Sequence, residues 1–239
     1  MKNVKRFLLT GLITAGIFQA NAQTADEIIA KHLEAVGGKA KVASVSSVKI
    51  ENTMQIMGND APSVTTLLVG KGFKTESEFQ GQKIVQIVTD KGGWAVNPMS
   101  GSAEMAAIPD EQFKANKESI YFTPFLDYAA RGSKVELLGK EKIGDKEAFK
   151  VKYTTSDSIA KTLYFDPTSY YLVRAVQQAE MMGQQVDIIL TFADFKKTDF
   201  GVVIPYSTEY DYGGQFQMSS KVKKAEINTA VDPAIFVAK

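Results

Sequence analysis

The chain has 239 residues, with 28 Lys and Arg, 27 Asp and Glu, a single His and no Cys. Without Cys there is no thiol catalysis, disulfide framework, thiolate zinc site, Cys-ligated iron–sulfur cluster or cysteine-borne lipid anchor, and a lone His excludes any centre built on two imidazoles. What remains is carboxylate, hydroxyl, lysine or pure binding chemistry, in a chain whose 44% hydrophobic and 23% charged content is that of an ordinary globular protein.

Lys2, Lys5 and Arg6 form a basic stretch ahead of an apolar run over residues 7–18, and Ala20-Asn21-Ala22 fits a small-residue cleavage box. The expectation is a signal peptide over residues 1–22, cut after Ala22, and one exported domain over 23–239 with no transmembrane segment in the mature chain. An uncleaved membrane anchor is the alternative. Loss of three basic side chains takes the net charge from +1 to −2, which leaves no electrostatic footprint for nucleic acid or an anionic membrane.

Thr24-Ala25-Asp26-Glu27 is a capping box, so a helix is predicted from there, with Ile28, Ile29, Leu33 and Val36 as its apolar stripe and Gly37-Gly38 as its stop. A short second helix is predicted over 39–45. From Val48 the hydrophobic period becomes two, giving predicted strands at 48–56, 64–70, 73–79, 83–89 and 94–97, joined by Gly-containing turns. The stretch 98–132 breaks that rhythm. Pro109-Asp110-Glu111 suits a helix N-terminus and predicts a helix over 110–117, and Pro124-Phe125-Leu126 predicts a second, ending near Arg131-Gly132. Seven further strands follow, at 134–142, 147–154, 158–165, 171–181, 184–196, 203–211 and 215–227. The fold class is mainly β (α+β), with one large curved antiparallel sheet forming an incomplete or closed barrel, an N-terminal helix and a helical lid insertion.

Glu34-Ala35-Val36-Gly37-Gly38, Gly93-Trp94-Ala95-Val96-Asn97-Pro98, the segment from Pro124-Phe125-Leu126-Asp127-Tyr128 to Gly132, and the run from Gly201-Val202-Val203-Ile204-Pro205 to Pro233-Ala234-Ile235-Phe236 resemble the LolA-like family in order and spacing. These are secreted proteins of bacteria with an outer membrane, often outer membrane lipoprotein-sorting proteins. The resemblance implies a periplasmic location and an incomplete barrel whose apolar inner face, lidded by helices, holds lipoprotein acyl chains or another long-chain amphiphile. It further implies membrane-associated donor and acceptor proteins as partners. The family's carriers latch the lid with an arginine of an early strand. Here the arginines are Arg6, Arg131 and Arg174, and the matching region around Phe73-Lys74 offers only Lys74, so that latch is not carried over.

The ligand-binding candidates for the apolar cavity and lid are Met54, Ile56, Trp94, Met99, Met105, Ile108, Phe122, Phe125 and Leu126. Met suits a cavity for mobile chains because it adapts to irregular partners, though a strand Met is commonly core filling. Phe122, Phe125 and Leu126, preceded by Met99, Met105 and Ile108, would expose too much apolar surface unless they cap something; the alternative is that they plug the barrel as permanent core. Tyr206, Thr208, Tyr210 and Tyr212 share a strand face, with Ser207, Glu209 and Asp211 opposite, as cross-strand packing or as the rim of a binding site. His32 reads as a solvated helix residue. No catalytic residue, metal site or cofactor is expected. The functional reading is a non-catalytic carrier of acylated cargo; a sensor or adaptor using the same sheet for a protein partner is the alternative, with a hydrolase third.

Overall fold

The computed structural model describes residues 23–98, 102–181 and 183–238; the expected signal peptide and the candidate Met99 lie outside them. Helix α1 (Ala25–Ala35) begins at the expected capping box: the Glu27 amide donates to Thr24 Oγ1 at 3.2 Å, and the Thr24 amide donates to Glu27 Oε2 at 3.1 Å. Two orphan amides of the first turn are thereby satisfied. Gly37 and Gly38, both at positive φ, end the helix, and α2 (Lys39–Ala43) follows.

Among the described residues thirteen strands form one sheet. They are β1 (Ser47–Ile56), β2 (Asn59–Leu68), β3 (Gly72–Phe79), β4 (Gln82–Thr89), β5 (Gly93–Asn97), β6 (Ser102–Ala107), β7 (Lys134–Ile143), β8 (Lys146–Thr154), β9 (Ala160–Phe165), β10 (Leu172–Met181), β11 (Gln184–Lys197), β12 (Val203–Tyr212) and β13 (Gln217–Ile227). Their order is β6-β5-β4-β3-β2-β1-β13-β12-β11-β10-β9-β8-β7, and the pairs are antiparallel. Strands β6 and β7 are left as edges, so the sheet is an incomplete barrel.

That order explains the insertion. The chain lays down β1 to β6 outward in one direction, then resumes at the far edge with β7 and winds back to set β13 beside β1. Residues 108–133 are the only connection between the two edges, so they must cross the open side. This strap contains α3 (Asp110–Asn116) and a 3₁₀ turn (Lys117–Ile120).

Three details differ from the sequence reading. Strand β2 starts at Asn59, because the turn is confined to Met57-Gly58, and it carries Pro62. The proline is tolerated because the β2–β3 ladder begins one residue later, at Ser63. Strand β6 occupies a stretch taken as irregular. The second insertion helix is absent, and residues 124–132 form turns instead. Asp127 there has φ 51°, a left-handed conformation that interrupts a helix, and Arg131 donates to the carbonyls of Pro124 (2.6 Å) and Leu126, taking acceptors a helix would use internally.

Candidate functional site

Antiparallel partners point to the same side of a sheet, so the register sorts side chains into two faces. One face carries the helices. Along β8 to β10, Val151, Leu163 and Ala175 are successive partners, and they pack with Ile28, Ile29 and Leu33 of α1. The row continues through Leu190, Tyr210 and Met218 to Ile56, where Ile56, Ala61, Phe79, Met54 and Met218 close the far tip. At the other end of β1 to β3, Val48, Leu67 and Phe73 pack with Val45, Val202 and Phe122. Between these three clusters, Ile188, Leu190, Phe192, Tyr210 and Val222 of the same face stay half-buried and join none of them. They form the floor of an inner trough. Desolvation pushes the Tyr210 hydroxyl up to about 12, with Tyr212 adding a smaller contribution, and it raises Tyr212 as well.

The strap roofs one end of this trough and is fastened on both sides. The Gly70 amide donates to the Ile120 carbonyl at 2.8 Å, tying the strap to the β2–β3 turn. On the opposite wall Lys117 pairs with Asp157 at 3.0 Å, and Tyr153 on β8 donates to Glu118 Oε1 at 2.6 Å. Burial, then the neighbouring Glu118 carboxylate, holds the Tyr153 hydroxyl well above its usual pKa, so it stays a donor. Lys161 donates to the Ala115 carbonyl at 3.3 Å, and burial lowers its pKa. Tyr128 donates to Asp26 of α1. Arg131 stacks its guanidinium over Tyr121 at 4.3 Å while gripping the strap's own carbonyls. The strap is thus held by an arginine inside it, in the absence of one on an early strand.

The candidates fall into separate places. Phe122 belongs to both the α1 cluster and the cluster at the α2 end, so it bridges the mouth. Phe125 is 3% exposed, with its ring edge-on to His32 at 5.2 Å and to Tyr153 at 5.9 Å and tilted against Phe165 at 5.7 Å. That environment is a packed anchor of the strap. Leu126 is half-buried beside it. Met54 is half-buried on the inner face, whereas Ile56 is fully packed in the tip. Ile108 lies across the Cα of Gly93, where a Cβ would sit 2.5 Å from its Cδ1.

Trp94 and Met105 lie elsewhere. Trp94 pairs with Ile87 and Val96 with Val85, all on the opposite face, where they and Met105 pack against Val231, Ile235 and Phe236 of the C-terminal segment. Phe236 sits in a 3₁₀ turn (Pro233–Phe236) and covers Gly72, at which a Cβ would fall 2.4 Å from its ring. The outer face also carries a groove of about 460 Å³ lined by Arg174, Thr191, Glu209, Asp211 and Ser219 among others, and the Arg174 Nε there is buried without a partner.

His32 is 7% exposed, against the reading of a solvated residue. Its Nδ1 pairs with the Tyr170 carbonyl at 2.9 Å, and desolvation lowers its pKa to about 4, opposed by that hydrogen bond. It is therefore neutral and donates. The signal was present in the spacing: His32 follows Ile28 by four and precedes Val36 by four, inside the apolar stripe. The trough residues Ile188, Leu190 and Phe192 were visible as an alternating run, but alternation alone does not say which face the helices cover. Among the described residues no group of three His, Asp or Glu side chains gathers as a metal site.

An open antiparallel half-barrel, with one face covered by an N-terminal helix and a strap between the sheet edges, defines the class of architecture. Solved structures of the same class include a domain provisionally assigned to outer membrane lipoprotein sorting, from Vibrio parahaemolyticus, at 13% identity and a TM-score of 0.58 over 88% of this chain and 95% of that one. A LolA superfamily protein from Nitrosomonas europaea matches at 11% identity and TM-score 0.57, over 90% and 98% of the two chains. A DUF1329 family protein from Desulfovibrio piger matches at 11% identity and TM-score 0.52, over 88% and 95%. No protein-family model and no curated protein sequence matches. The chain has a LolA-like fold.

Proposed function

We propose that this chain is a non-catalytic periplasmic carrier of acylated cargo or another long-chain amphiphile, exported by a signal peptide over residues 1–22 and working as a single domain over 23–239. The observation that carries this reading is the inner trough: half-buried apolar and aromatic side chains with desolvated tyrosine hydroxyls, left open between packed clusters and roofed by a fastened strap. A filled core would have closed over Leu190 and Phe192. The likeness of fold to a lipoprotein-sorting domain supports the same reading. Among the described residues no helix is long and apolar enough to cross a membrane.

Burying a chain of about sixteen carbons is worth roughly 12 kcal/mol gross at about 0.8 kcal/mol per methylene, from which ordering and association costs are subtracted. Isothermal titration of delipidated protein with a long-chain monoacyl amphiphile should therefore give saturable binding, and a short-chain analogue should give none. Leu190→Glu places a carboxylate on the trough floor without touching a packed cluster and should abolish binding while the melting temperature holds. An absence of saturable binding would favour the adaptor reading, in which the sheet recognises a protein partner.

A further inference from the structure

The inner face is not uniformly apolar. Between the apolar tip and the apolar end beneath the strap, the register places a band of neutral polar side chains. Asn52 pairs with Ser63 and Ser63 with Ser77; one step along, Ile50, Thr65, Thr75 and Gln86 are successive partners; and Ser220 lies opposite Met54. Ser63 and Ser220 are 5% and 6% exposed. Asn52 Nδ2 donates to Ser220 Oγ at 2.6 Å, which leaves the Ser220 hydroxyl proton free to donate elsewhere, and Asn52 Oδ1 is buried with no partner. Leaving a buried amide oxygen unpaired is costly, so a sequence that keeps one inside the barrel keeps an unfilled acceptor.

Charge is excluded from this band by the same register. Lys49 and Glu51 of β1, Lys74 and Glu76 of β3, and Lys83 of β4 alternate with the inner positions and face outward, where Glu76 pairs with Lys74 at 3.1 Å and with Lys83 at 3.0 Å. The inner positions of β1 to β4 carry no ionisable side chain. A phosphate or carboxylate brought here would lose its hydration and meet no cation. A neutral group bearing both a donor and an acceptor would instead accept from Ser220 and donate to Asn52 Oδ1.

We infer that Asn52 and Ser220 form a specificity site for the polar part of the cargo, selecting an amphiphile whose buried head is a neutral hydroxyl or amide and rejecting an anionic head. This inference rests on the carrier reading and narrows it: the chains lie along the trough floor, and the head is read inside the barrel at the Asn52 band.

The test compares two probes that differ only by a phosphate, 1-palmitoylglycerol and 1-palmitoylglycerol 3-phosphate, titrated below their aggregation thresholds into the wild-type chain, Asn52→Leu and Ser220→Ala. The wild type should bind the neutral glyceride at least about tenfold more tightly, and both variants should lose about tenfold toward it with little change toward the phosphate, so that selectivity collapses. Ser220→Ala removes only a hydroxyl and serves if Asn52→Leu does not fold. Equal wild-type binding of the two probes, or unaltered selectivity in a folded variant, would overturn the specificity site and leave the carrier reading standing. Binding of neither probe would remove both.

Discussion

Acidification should weaken this protein through one residue. His32 is the only histidine of the chain, and its pKa is lowered from 6.5 to about 4 because its ring is shut between Phe125 and Phe165. Between those two values the unfolded chain binds a proton that the folded chain refuses, so stability is complete above about pH 6.5 and falls as the pH drops toward 4. The full shift corresponds to about 3 kcal/mol, most of it expended by about pH 4.5. Glu76 and Asp166 are both held below their usual values against an opposing burial cost, Glu76 by Lys83 and Lys74 and Asp166 by hydrogen bonds from Ser169 and Thr168, and Lys150 holds Glu141 down in the same way, so their contributions are lost at lower pH. Urea unfolding of the wild type and His32→Gln, which can keep a donor toward the Tyr170 carbonyl, at intervals from pH 7.5 to 4.5 reads the effect directly. The wild type should lose about 2–3 kcal/mol more than the variant across that range. Parallel pH profiles for the two proteins would show that the histidine is protonated in the fold and refute the reasoning.

Phe125→Ala should cost about 3–5 kcal/mol, because it empties the aromatic site joining α1, β8, β9 and the strap; chemical unfolding checks it, and a loss below 1 kcal/mol would contradict the packed placement. Arg131→Met should loosen the strap selectively, by about 2 kcal/mol in local opening seen as faster amide exchange over residues 121–133, with the sheet amides unchanged. Gly72→Ala should unseat Phe236 and red-shift the emission of Trp94, the single tryptophan, which shares its cluster. By the same placement a ligand in the inner trough should leave Trp94 emission nearly unmoved, and a large shift on lipid binding would place the cargo on the outer face.

Much of the sheet was legible because a period of two leaves little choice wherever one face is buried. The capping box at Thr24 and the Gly-containing turns set most boundaries. Strand β6 was missed because Ala103, Ala106 and Ala107 give it almost no hydrophobic contrast and Pro98 precedes it. The second insertion helix failed for a tertiary reason: the Arg131 side chain takes the local carbonyls, and no propensity scale records that. The division of candidates between faces was the least legible part. Trp94 precedes the insertion closely in sequence and so reads as part of the lid, yet its parity with Ile87 and Val96 puts it behind the sheet. Alternation reveals that a strand has two faces; only the register with β1 and β13, set by pairings far apart in sequence, says which one the helices cover. Asn52 was hidden for the same reason, as one polar position in a strand that alternates throughout.

The central claim is that cargo lies along the inner trough, and photo-cross-linking tests it most directly. A palmitoyl amphiphile carrying a diazirine near its chain terminus, bound to detergent-free protein, irradiated and mapped by peptide mass spectrometry, should label β11 to β13 at or beside Leu190, Phe192 and Val222, and unlabelled lipid should compete the label away. Adducts that resist competition, or that concentrate on the outer face around Trp94 and Phe236 or in the Arg174 groove, would contradict the account.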